Sequence, residues 1–193
     1  MERELTILLN KLFLELKSIN SFLVNSLNPG LDEVSIKNAV HPEGLTFSQE
    51  LIELFQWKNG TKLGKGLLGT YSFFPTSIFM DLEHAINFYH LRAGKDDYWK
   101  EHMFPIFGSG GDYYLIDLDQ NSPTFNMIYY YSPSSIDFDT TITFYDSLLT
   151  CFETIYKCYR EKAFYISNSV LYSDGEKEEE IAKKLNPKSE FWE

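Results

Sequence analysis

The chain has 193 residues, enough for one domain with a sizeable core. Its net charge of −11, from 17 basic against 28 acidic residues, repels phosphate, which argues against direct binding to DNA or RNA. The aromatic content of 17% argues against disorder, and no apolar stretch reaches the ~20 residues that span a bilayer.

The N-terminus, MERELTILLNKLFLEL, carries charges inside its apolar part and has no small-residue cleavage site. It reads as a helix rather than a signal peptide, and a cytoplasmic protein is expected. Leu5, Leu8, Leu9, Leu12, Phe13, Leu16 and Ile19 recur at helical spacing, which predicts one helix over about 3–23. Residues 31–39 fit either a short helix or a loop. A capping box with Thr46 as N-cap and Gln49 reaching back predicts a second helix, LIELFQWKNG, that stops at Asn59-Gly60. Trp57 is expected to anchor the core behind it.

Thr70 to Phe74 reads as a short strand, and Asp81 caps a helix over 81–91. Ala93 to His102 reads as a polar connection carrying Trp99. Tyr113 to Asp117 is a strand apolar on both faces, and Met127 to Tyr131 is its antiparallel partner. Thr143 is expected to begin the last long helix, TFYDSLLTCFETIYKCYR. Residues 164–172 read as a strand or an irregular segment. Glu176 to Leu185 is a charged helix with Glu179–Lys183 and Glu180–Lys184 pairs. Cys151 and Cys158 lie on one helical face, roughly 10 Å apart, so they are expected to be buried free thiols. Helices flanking a cluster of short strands indicate an α+β fold with a mainly antiparallel central sheet. One domain over 1–163 and a C-terminal extension over 164–193 are expected.

Few residues suggest chemistry. Gly64 to Gly69 spells G-x-G-x-x-G, but a helix precedes it and a strand follows, the reverse of a dinucleotide site. Gly108-Ser109-Gly110-Gly111 lacks the lysine of a phosphate loop and the spacing of a nucleophile elbow. Gly110-Gly111 therefore reads as a tight turn, with Asp112 bonding its backbone. His41, His84, His90 and His102 show no metal-ligand spacing, so neither metal nor cofactor is expected. Asp112, Asp117 and Asp119 could serve acid–base work only if burial raised one pKa, and turn or surface roles are the reading adopted.

Three blocks in order, LIELFQWKNGT, MFPIFGSGGDYYLIDL and TFYDSLLTCF, resemble the SMI1/KNR4 family of the SUKH superfamily. The resemblance covers about 31–156 and rests on Trp57, Asn59 and Gly60, on Pro105, Gly110, Gly111 and Asp112, and on Thr143 and Phe144; Asp117 belongs to the same strand motif. It implies a helix-flanked antiparallel sheet and no catalysis. It also implies an immunity protein that binds and blocks a toxin, often a nuclease, or else a regulatory scaffold. The expected partner is a basic toxin domain, with no nucleic acid or membrane partner, and the chain a monomer or homodimer. Asp112, Asp119, Asp137 and Asp139 are the expected contacts, because an acidic patch suits a basic partner.

Overall fold

The computed structural model describes residues 3–95, 97–134 and 141–193. Helix α1 (Glu4–Ile19) buries Leu5, Leu8, Leu9, Leu12 and Leu16, a stripe at helical period. The single helix expected over 3–23 is broken. Asn20 leaves helical geometry, and its side-chain oxygen accepts from Leu23 N–H to start α2 (Ser21–Ser26). Strand β1 (Leu27–Pro29) follows. Residues 31–39 resolve into a helix, α3 (Glu33–Val40), capped by Asp32, which accepts from Ser35 N–H at 2.9 Å.

Helix α4 (Gln49–Trp57) starts from Ser48 rather than the expected Thr46. Ser48 Oγ accepts from Leu51 N–H, and the helix begins only one residue later. Both residue types can cap, so the sequence left two registers open. Strand β2 (Lys58–Thr61) pairs with β1. A 3-10 turn at Leu68–Tyr71 leads into the hairpin β3 (Ser72–Phe74) and β4 (Ser77–Phe79). Asp81 caps α5 (Leu82–Arg92) as expected.

Next come β5 (Met103–Ser109), β6 (Asp112–Asp117), β7 (Ile128–Tyr131) and β8 (Thr141–Tyr145). The helix expected from Thr143 starts later. Thr141 to Tyr145 is a strand, and α6 (Leu148–Arg160) begins at Ser147, in a capping box with Thr150. Helical periodicity downstream concealed a β-branched and aromatic run that pairs with β7. Residues 164–173 form a second small hairpin, β9 (Phe164–Ser167) and β10 (Val170–Ser173). Its tip residues Asn168 and Ser169 have positive φ. Helix α7 (Gly175–Leu185) carries both expected ion pairs, Lys183–Glu179 at 2.8 Å and Lys184–Glu180 at 2.7 Å.

The main sheet has six strands in the order β3-β4-β5-β6-β7-β8, every neighbour antiparallel. The fold is α+β, as the pattern of elements predicts. Strand β6 feeds two cores because successive side chains point to opposite faces. Tyr114 and Ile116 enter the main core, where Phe107 packs at a tilt on Phe79 and Phe152 with ring centroids 5.6 and 6.1 Å away. Tyr113 and Leu115 enter a smaller cluster with Met103, Tyr131 and Trp99. Trp99 is fully buried and donates to the Met103 carbonyl at 2.8 Å. The connection that reads as polar therefore supplies the centre of the second core. Cys151 and Cys158 are buried and unpaired with each other, and burial pushes both thiols up.

The C-terminal residues run along β8, the last strand of the sheet. Phe191 N–H donates to the Thr143 carbonyl at 3.1 Å, and Trp192 Nε1 donates to the Phe144 carbonyl at 2.8 Å. Among the described residues no helix is long and apolar enough to cross a membrane.

Candidate functional site

The Trp57-x-Asn59-Gly60 block does more than end a helix. Trp57 is half-buried, 6.2 Å from both Phe13 and Phe73, so it closes the edge of the core rather than filling its centre. Asn59 Oδ1 accepts from Leu82 N–H at 2.9 Å, which gives α5 a second cap beside Asp81. Gly60 has φ +73°, and a Cβ there would lie 2.2 Å from Asp81 N. The block thus clamps the α4–β2 corner onto the start of α5.

The Pro105 to Asp112 block shapes the β5–β6 hairpin. Pro105 lies buried where β5 bulges between Pro105 and Phe107, a position at which the missing N–H costs little. Gly110 and Gly111, both at positive φ, form the two-residue turn. Asp112 does not serve that turn. Its carboxylate accepts from Ser132 Oγ at 2.8 Å and Tyr130 Oη at 3.1 Å, because the β6–β7 register sets residue 132 opposite residue 112.

Asp117 is fully buried at the other end of β6. Oδ1 accepts from Asp119 N–H at 2.8 Å and Oδ2 from Thr124 Oγ1 at 2.7 Å. Asp119 in turn accepts from Asn121 N–H at 2.9 Å. These two carboxylates organise the β6–β7 connection, as turn aspartates do. His102 Nε2 stands 3.7 Å from Asp117 Oδ1. Asp112 begins β6 and Asp119 lies two residues beyond its far end, and the strand alone spans roughly 17 Å, so they do not share one patch. Asp137 and Asp139 lie outside the described residues.

Both buried aspartate oxygens accept from neutral backbone or hydroxyl donors. Among the described residues no group of three or more His, Cys, Asp or Glu is placed to hold a metal ion. His84 pairs with Asp81 at 2.6 Å and His90 with Glu43 at 2.8 Å.

What sequence reasoning missed is a groove. A cavity of about 550 Å³ opens between β4, the β5–β6 turn and the start of α5. Thr61, Ile78, Met80, Phe88 and Tyr113 line it, with Lys62, Leu63 and Leu68 at its side. The signal available was the leucines Leu63, Leu67 and Leu68 in a glycine-rich loop, where turn residues alone would suffice.

Fold and site together define an α+β protein built around an antiparallel meander, with structural carboxylates and an apolar groove. The family model for the SMI1 / KNR4 family (SUKH-1) matches residues 30–154, well over half of the chain, and the chain belongs to that family. The match begins after β1 and ends inside α6, so it spans the whole six-stranded sheet. Comparison with curated proteins found no matching sequence.

Proposed function

We propose that the chain is a non-catalytic, cytoplasmic immunity protein that binds and neutralises a cognate bacterial toxin. Membership of the SMI1/KNR4 family carries this reading. The charge supports it. A toxin that cuts nucleic acid needs a basic groove to hold phosphate, and an inhibitor with net charge −11 is drawn to such a groove from a distance. Neutralisation by binding asks nothing of the acids beyond their field, which agrees with aspartates committed to internal hydrogen bonds.

The test is co-expression with the toxin domain encoded next to this gene. Growth rescue and a stable stoichiometric complex are expected, with association slowed several-fold by added salt. A neighbouring toxin that kills despite co-expression and does not bind the purified chain would refute the proposal. The regulatory-scaffold reading would then take its place.

A further inference from the structure

The groove beside Lys62 adjoins a second, shallower depression of about 360 Å³, lined by Phe22, Tyr71 and Gly64, and Lys62 and Leu63 line both. Of the side chains that line them, Leu63, Leu68 and Phe22 are 51%, 52% and 57% exposed, and Leu67, next to Leu68 in the chain, is 67% exposed. Exposed apolar side chains scattered singly need no explanation, but three lining two adjoining depressions form a patch that water does not favour. Thr61, only 6% exposed, lines the deeper groove with a buried hydroxyl that has no hydrogen-bond partner among the described residues.

The charges at this rim are the opposite of those on the molecule as a whole. Lys62 and Lys65 are exposed and have no ion pair among the described residues, while Asp81, the acid of the groove, is engaged with His84. We infer that this face docks a polypeptide segment of a partner protein, one that sets an aromatic or long aliphatic side chain into the groove and a neighbouring carboxylate against Lys62. A small ligand inside the cavity would leave the leucine rim in water, whereas a protein surface covers cavity and rim together. A second copy of this chain is a poorer occupant, since two chains of net charge −11 repel as they approach. The partner is the toxin if the reading above holds, but the docking chemistry does not depend on that identity.

Random twelve-residue peptides displayed on phage, panned against the full chain, test the inference. Enriched peptides should carry an aromatic or aliphatic residue within two positions of Asp or Glu. They should lose about tenfold or more in affinity on Leu68→Glu and on Lys62→Glu, and none on Leu14→Glu, which alters an exposed α1 leucine outside both depressions. Leu68 and Leu14 are more than half exposed and Lys62 is exposed, so an unchanged thermal transition is expected and confirms folding. No enrichment, enrichment of basic peptides, or equal binding by all variants would overturn the inference. So would a dimer of the chain alone, seen by sedimentation, that Leu68→Glu dissolves. If a toxin binds and Leu68→Glu leaves that binding intact, the face is wrong and the immunity reading stands. If peptides bind the groove and no toxin binds, the outcome is the reverse.

Discussion

Asp117 shows how much a single buried carboxylate can organise without doing chemistry. Its two oxygens hold a backbone N–H and a hydroxyl from the same ten-residue connection that joins β6 to β7. Removing them leaves the Asp119 N–H without its acceptor. Asp117→Ala should cost about 2–3 kcal/mol in urea unfolding. Asp117→Asn keeps one acceptor and can donate to Thr124, so it should cost less than half as much; equal costs would show that charge, not hydrogen bonding, is what matters there. Gly60 is a second such position, for steric reasons. A methyl group there would collide with the backbone at Asp81 and force a left-handed conformation on an L-residue. Gly60→Ala should destabilise by about 3 kcal/mol, while Gly44→Ala, at similar φ but with open space around it, should cost about 1 kcal/mol.

At the scale of elements, the C-terminal residues act as the cover for an open sheet edge. Strand β8 would otherwise present unpaired backbone groups, and such edges recruit other chains. Ser189, Glu190, Phe191 and Trp192 supply hydrogen bonds and rings there, with the Phe191 and Phe144 centroids 4.4 Å apart. Truncation after Leu185 should therefore lower stability by about 3–5 kcal/mol, chiefly through the lost aromatic packing. Light scattering should also show concentration-dependent association. A truncated chain that stays monomeric and equally stable would remove this role from the tail.

At the scale of the whole molecule, acidity works against the folded state as well as for solubility. Burial, then Glu53, then Glu4 raise the Glu50 carboxyl above its ordinary value of 4.5. Burial also raises Glu178, against a hydrogen bond from Ser173. A carboxyl whose folded pKa is raised favours the protonated native state. Its contribution is fully present below 4.5 and is lost as pH rises through the raised value. The thermal transition should thus rise on mild acidification from neutral pH towards that value. Glu50→Gln should be more stable than the parent at neutral pH, with the advantage gone below 4.5. A Glu50→Gln advantage that persists in acid would point to packing instead of ionisation.

The longer helices, the central strand pair and the family resemblance were legible in the sequence alone. Helical periodicity found α1 and α6, capping signals found α4 and α5, charge pairs found α7, strand composition found β6 and β7, and three ordered motifs carried the family resemblance. These are signals written within a few residues of one another. What the tertiary structure decided are relations between distant residues. Only the β6–β7 register sends Asp112 to Ser132 instead of to its own turn. Only the folded corner turns Asn59 from a helix stop into a cap for α5. Trp99 looked like part of a polar linker because its neighbours are polar, and a lone aromatic shows its burial only when the sheet behind it is assembled. The groove beside Lys62 is formed from β1, β2, β4, the β5–β6 turn and α5, segments up to about eighty residues apart. Short-range pattern carries the propensities that make elements, whereas a site assembled by long-range packing leaves no contiguous trace in the chain.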